Sequence, residues 1–346
     1  MASGNWVMPV FSKGQIDTAG RILATGSPGA DEYDAALDVL NNWRSSHSFP
    51  LNTMQIYLRS AARRFDNGPL IAQRLKRTPS IIQKLQRFPK MQLSRMQDMG
   101  GCRAVLRNVE RVRALREYYR KSSIKHQLVR EDDYIAKPKK SGYRGIHLVY
   151  RYFSDKNDTY NGLQIEIQMR SRLQHAWATA VETVGTFLQQ SLKSSQGSDE
   201  WLQFFTLTGS AFALVEGTAT VEGTPQTKQE LVATVSEMAS HLGVVEKLNA
   251  YNTALQTMED PNLKNARYFL LLLKPAEETL TVRGYQAEDL TKATSDYLEI
   301  EKGVGLSPGA QVVLVSADSI EALRRAYPNY YLDTSVFLRY LHSFTG

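Results

Sequence analysis

The stretch Leu163-Gln-Ile-Glu-Ile-Gln-Met169 is the strongest constraint this chain places on its own fold. Apolar and polar residues alternate without a break, the pattern of a strand with one buried face and one polar face. Glu166 shares the polar face with Gln164 and Gln168, because residues two apart point the same way. Its surroundings are cationic: from Tyr57 to Glu182 there are 27 Lys and Arg against 11 Asp and Glu, a surplus of 16. A carboxylate on a strand face costs free energy unless it meets a cation or a proton in transit. Two readings are open for Glu166 and for Asp98, which stands just before Gly100-Gly101. Either each pairs with a neighbouring Arg, or the two lie close together and hold Mg2+ for a phosphate-bearing substrate.

The rest of the chain has the opposite charge. Residues 1–56 carry two more acids than bases, and residues 183–346 carry seven more. The basic segment is built to meet polyanions such as nucleotides or nucleic acid. The acidic parts either solubilise the chain or act as an internal electrostatic partner. The single cysteine, Cys102, rules out an internal disulfide and a thiolate zinc cage. No apolar run reaches the roughly 18 residues needed to span a bilayer, and the N-terminus lacks the layout of a signal peptide. The expectation is a soluble cytoplasmic protein with no membrane partner.

Tyr33, Leu37, Leu40 and Trp43 fall at helical spacing, and further helices are expected after Asn52-Thr53 and after Thr78-Pro79-Ser80. A strand over 99–107, a helix over 109–119 and a strand over 125–130 follow. A basic loop at 137–145 then precedes strands at 146–153 and 163–169 and a helix at 172–189. This is a mixed α/β domain. Residues 199–258 read as helical pieces, and 259–262 as a turn and boundary. Strands at 267–274, 278–285 and 311–315, with helices at 287–301 and 319–327, make a second small α/β domain. The division is an N-terminal helical extension (1–56), a basic domain (57–190), a helical connector (191–262) and a C-terminal domain (263–346).

Arg74, Lys76, Arg77, Ser80 and Lys84 put several cations at one rim of the third helix and the loop before it, which suits a triphosphate or a plain solvated face. The loop from Lys137 to His147 offers Tyr143 for stacking on a base and Arg144 with the lysines for phosphates, or is an ordinary surface turn.

Taken in order, Arg74-x-Lys76, Ser80-x-x-x-Lys84, Asp98-Met-Gly-Gly-Cys-Arg103, Asp133-Tyr-Ile with Pro138-Lys139, Gly142-Tyr-Arg-Gly-Ile-His147 and Glu166-Ile-Gln-Met-Arg170 with Gln174-His-Ala-Trp177 closely resemble the synthetase domain of the RelA/SpoT family. The resemblance covers about residues 50 to 190. It implies an α+β fold: a mixed-sheet, nucleotidyltransferase-like synthetase domain flanked by helices, with the small C-terminal α/β domain added. It also implies transfer of the β,γ-pyrophosphate of ATP to a ribose 3′-hydroxyl with Mg2+. By motif, Asp98 would hold Mg2+, and Glu166 would activate the hydroxyl or share the metal. Arg74, Lys76, Lys84 and Arg103 would hold the ATP phosphates, with Arg77 assisting. Tyr143 would stack on the acceptor base, and Lys137, Lys139, Arg144, His147 and Gln168 would complete the acceptor site. One departure stands out: Gly145 falls where many members have Ser.

The chain has no His-Asp dipeptide, so the hydrolase of the housekeeping members is not expected. The tail motif Tyr327-Pro-Asn-Tyr330 makes the architecture resemble the CapRel-type fused toxin–antitoxin members. That likeness implies a C-terminal domain related to a zinc-finger fold without zinc ligands, which masks the ATP site through Tyr327 and Tyr330. It implies transfer to the 3′ end of the tRNA acceptor stem and release by a phage capsid protein. The alternatives are a small alarmone synthetase acting on GTP, GDP or adenine nucleotides, an idle RNA-binding sensor, and, for the two tyrosines, simple packing beside a turn.

Overall fold

The structure is a computed structural model that describes residues 6–26, 29–191, 198–260, 263–304 and 309–346. Five strands come from the basic segment: β1 (Leu70–Leu75), β2 (Gly100–Leu106), β3 (Gln127–Asp133), β4 (Ile146–Arg151) and β5 (Gln164–Ser171). Four come from the tail: β6 (Gln256–Glu259), β7 (Tyr268–Lys274), β8 (Thr279–Tyr285) and β9 (Gln311–Ser316). They form one nine-stranded sheet in the order β3-β4-β5-β2-β1-β9-β7-β8-β6. The pairs β2/β5 and β6/β8 are parallel and the others antiparallel, so the fold is α+β on a mixed sheet. The two halves of the sheet meet at β1 and β9, through Gln73 opposite Ser316 and Arg74 opposite Val315.

The helices are α1 (Lys13–Thr25), α2 (Ala30–Ser46), α3 (Ser48–Ala62), α4 (Thr78–Arg87), α5 (Val109–Lys121), α6 (Arg172–Ser191), α7 (Ser198–Val215), α8 (Lys228–Leu242), α9 (Val244–Ala254), α10 (Leu290–Val304), α11 (Ile320–Ala326) and α12 (Ser335–Thr345). The apolar face of the first five strands packs Cys102, Ala104, Ile165, Ile167 and Leu148 against α3 and α5. The opposite face is the polar one that alternation in residues 163–169 requires.

Several features differ from the sequence reading. Residues 256–259, which fall in the expected helical connector, form β6 because β8 offers them a parallel partner. Residues 70–75 are a strand, so Arg74 lies in the sheet rather than on a helix or its preceding loop. Pairing with β2 along the whole length of β1 decides this, not local propensity. Helix α3 starts at Ser48 and contains Pro50 in its first turn, where a missing N–H costs nothing, so the expected break there and the boundary at 56/57 fall inside one helix. Helix α12 has no counterpart in the sequence reading. Its Phe337, Leu341 and Phe344 join Trp177, Phe204, Phe205 and Phe212 in the helical core of α6, α7 and α8 rather than the tail's own core. The expected boundary at 259–262 partly lies outside the described residues. Among the described residues no helix is long and apolar enough to cross a membrane.

The α2–α3 junction carries a pH liability. His47 is 1% exposed, with Nδ1 2.7 Å from the Trp43 carbonyl oxygen. Burial pushes its pKa down to about 4, against the hydrogen bond to Trp43. The unfolded chain therefore binds the proton first, so stability falls as pH drops from about 6.5 to 4, by up to about 3 kcal/mol. Urea midpoints at pH 7 and 4.5 check this: a His47→Gln chain should show a clearly smaller drop than the parent, and an equal drop would remove His47 as the cause.

Candidate active site

Register alignment gathers the expected residues on one sheet face. Arg74 lies opposite Gly101, and Gly101 opposite Glu166. Arg103 lies opposite Gln168, and Gln168 opposite His147. Residues opposite each other in register share a face. Arg74, Arg103, Glu166, Gln168, Arg170 and His147 therefore form a single polar field, with Gly101 leaving a gap in its middle. A Cβ built at Gly101 would meet only the Glu166 carbonyl oxygen, at 3.9 Å.

Both carboxylates are already satisfied, though not by arginine as one reading expected. Asp98 receives Lys76 Nζ and Lys84 Nζ at 2.8 Å each, one on either oxygen. Burial raises its pKa, but the two ammonium groups outweigh this and hold it below the ordinary carboxylate range. Glu166 Oε1 lies 2.8 Å from His147 Nδ1, and Gln168 Nε2 donates to Oε2 at 2.7 Å. Burial is again the largest influence and raises its pKa, but the contacts with His147 and Gln168 together outweigh it, and Glu166 stays below the ordinary range despite repulsion from Asp98. Glu166 beside the open space at Gly101, with Asp98 just before the same strand, fits Mg2+, which takes one or two carboxylates and completes its shell with phosphates and water. Among the described residues no cluster of three or more His, Cys, Asp or Glu offers a complete protein cage.

The acceptor candidates divide. Tyr143 is half-buried, accepts Arg170 Nη2 at 2.9 Å on its hydroxyl and bonds His147 Nε2, which links it through His147 to Glu166. Lys139 Nζ lies 5.1 Å from the centroid of the Tyr143 ring and 4.3 Å from that of Tyr134. Lys137 is exposed on the same loop. Arg144 corrects the sequence reading. Only 4% exposed, it donates to the carbonyls of Gly142 and Ala219 at 2.9 and 2.8 Å. Burial lowers its pKa to about 10. It pins the loop to the segment after α7 and is not free for an acceptor. One glycine lets this loop lie against α7 and another lets it lie against β5. At Gly142 (φ +89°) a Cβ would come within 2.8 Å of the Phe205 carbonyl oxygen, and at Gly145 (φ +150°) within 3.2 Å of the Met169 carbonyl oxygen. The departure at 145 thus has a backbone reason, since side chains rarely tolerate that conformation. Helix α7 packs directly behind the loop that carries Tyr143.

On the donor side Arg77 differs from expectation, because its guanidinium bonds Gln311 of β9. Gln311 Nε2 in turn donates to Thr186 Oγ1 of α6 at 3.1 Å. The tail motif also reaches this face. Tyr327 is 1% and Tyr330 3% exposed. Tyr327 donates to the Gln73 carbonyl oxygen at 2.8 Å, and the Arg103 guanidinium lies 5.6 Å from its ring centroid. Burial raises the Tyr327 phenol well above its usual range, against the pull of Arg103 and Arg74. Both tyrosines pack with Ala72, Val313, Val315 and Phe269. The sheet therefore brings the tail motif onto Arg74 and Arg103. The sequence reading missed Arg170, which it quoted without a role. It also missed Arg44 and Glu301, discussed below; Arg44 is the only basic residue of α2 and Glu301 sits in an ordinary helical pattern.

Residues 73–185 match the sequence model of the region found in RelA / SpoT proteins. The GTP pyrophosphokinase YjbM of Bacillus subtilis (strain 168) is 33% identical over 94 residues, 27% of this chain and 43% of that protein. The match thus spans less than half of the curated relative. The small alarmone synthetase 1 of Bacillus subtilis bound to its product pppGpp superposes with a TM-score of 0.42 at 22% identity, over 49% of this chain and 89% of that one. A GTP pyrophosphokinase family protein from Streptococcus pneumoniae gives 0.40 at 23% identity, over 49% and 86%. The stretch that is similar to the region found in RelA and SpoT proteins contains every candidate named in the sequence analysis except Tyr327 and Tyr330.

Proposed function

We propose that the chain transfers the β,γ-pyrophosphate of ATP to the ribose 3′-hydroxyl of a nucleotide acceptor. The observation that carries this is one sheet face holding Glu166 and the Arg74/Arg103 pair, with Asp98 between two lysines beside it. Such transfer requires mostly positioning and charge neutralisation, which a cationic cage around two carboxylates supplies. Glu166, ionised at neutral pH, accepts the proton of the attacking hydroxyl. His147 and Gln168 fix its orientation, and Tyr143 with Lys139 borders the acceptor. Asp98 and Glu166 would hold Mg2+, which neutralises charge on the transferred phosphates. A guanine nucleotide is the acceptor supported by the relative named GTP pyrophosphokinase, which makes an alarmone the first reading of the product.

A second reading, the 3′ end of tRNA, is favoured by the surplus of 16 positive charges, a field suited to a larger polyanion. In that reading the chain is a growth-arresting toxin. The tail is its mask, and a phage capsid protein is the partner that lifts it. Either acceptor is compatible with a tail seated on Arg74 and Arg103.

Incubation with γ-labelled ATP and Mg2+, offering GTP, GDP and bulk tRNA separately, tests both. Label in GTP or GDP is the expected result. Label in tRNA alone would establish the second reading, and label in none, with the tail motif substituted as well, would sink both.

A further inference from the structure

The start of α4 has no cap of its own: Arg77 at the N-cap gives no side-chain bond to the helix. Its first donors go instead to Glu301 of α10. Thr78 N–H donates to Oε1 at 3.1 Å, and the Thr78 hydroxyl to Oε2 at 3.0 Å. The same two oxygens take Arg44 of α2, with Nη1 on Oε1 at 3.1 Å and Nη2 on Oε2 at 2.9 Å. Arg44 is 1% exposed and donates also to the Tyr297 hydroxyl at 2.8 Å, which bonds Glu301 in turn. Its Nε has no partner. Arg44 and Arg74 line one small cavity of about 60 Å³ together with Tyr297.

This is a bidentate anion cradle with an acid from the tail placed in it. Without Glu301 and Tyr297, what remains comes entirely from residues 1–190: a guanidinium fork, a helix N-terminal N–H and a hydroxyl aimed at one point, with Arg44 lining the same cavity as Arg74. A fork of that shape accepts carboxylate and phosphate alike, and a helix N-terminus favours either anion. Lifting the tail removes Glu301 and Tyr297 together, so the Arg44 fork and the Thr78 N–H and hydroxyl become open to an incoming anion.

We propose that Arg44 and Thr78 form a phosphate subsite for the triphosphate donor, and that Glu301 holds it in the closed chain as an internal stand-in for phosphate. This deepens the reading of ATP as donor, and rests on it. The subsite adds a polar latch that is separate from the Tyr327–Tyr330 contact, and it brings the N-terminal extension into donor binding.

Calorimetric titration of the full chain with MgATP, and separately with inorganic pyrophosphate, tests this without any acceptor. Glu301→Gln keeps the side-chain shape and should tighten both ligands at least about tenfold. In a Tyr330→Ala chain, Arg44→Gln should weaken both about tenfold or more, and Arg44→Lys should recover only part, since it lacks the fork. Thermal unfolding confirms that each variant is folded. ATP binding to Tyr330→Ala that ignores changes at Arg44 and Glu301 would overturn the subsite and leave the donor reading intact. Pyrophosphate bound in an Arg44-dependent way, with ATP rejected, would uphold the cradle and overturn ATP as donor. No binding of either ligand to any variant would overturn both.

Discussion

Glu166→Gln, made in a Tyr330→Ala chain, should keep ATP binding and lower pyrophosphate transfer by about 10²–10⁴-fold, the usual contribution of a positioned general base. The substitution preserves volume and leaves an amide where His147 Nδ1 and Gln168 Nε2 now meet a carboxylate. Folding is therefore expected to survive, and the loss should sit in kcat. Asp98→Asn should behave differently. Lys76 and Lys84 each hold one of its oxygens, so losing its charge frees two ammonium groups to attract phosphates as it removes the carboxylate proposed to hold Mg2+. ATP should then bind without its usual Mg2+ dependence while transfer falls. Label transfer and ATP titration across Mg2+ concentrations read both effects. Unchanged transfer in Glu166→Gln would take that carboxylate out of the chemistry.

Tyr327→Ala and Tyr330→Ala should each raise transfer by the full-length chain tenfold or more, the factor that about 1.4 kcal/mol of lost tail docking produces. The expected loss is larger: emptying the space of a fully buried aromatic costs about 3–5 kcal/mol. That cost falls on a ring seated between β1 and Arg103. Tyr327→Phe removes only the bond to the Gln73 carbonyl and should have an effect near 1 kcal/mol. If the two tyrosines were ordinary core residues, the melting temperature would fall with transfer unchanged, which separates the readings in one pair of measurements. Deleting the tail is a poorer experiment. It strips β9 from the edge of β1 and takes α12 out of the core that holds Phe204, Phe205 and Phe212.

Much of the site was readable because its signals are local. Alternation in residues 163–169 placed Glu166 on a polar face, and the glycines before Cys102 marked the strand opposite it. Arg74 was expected at the rim of a helix and lies in β1 instead, a strand that owes its existence to partners on both sides rather than to a pattern of its own. Arg144 could not be told from a ligand-binding arginine, because its partners are backbone carbonyls and one of them is 75 residues away. The Arg44–Glu301 pair, 257 residues apart in sequence, leaves no periodic or motif trace at all. Nor does any local pattern announce that α12 returns to the helical core, because its amphipathic face fits whichever neighbour the topology offers.

The position of α12 also bears on how such a protein is made. The ribosome delivers Tyr327 and Tyr330 before Phe337, Leu341 and Phe344. The helical core behind Trp177 and the Gly142 loop stays incomplete until that last helix arrives. The residues that pair with and cover β1 thus precede in the chain those that close this core, and the one stretch 311–346 has to find both places.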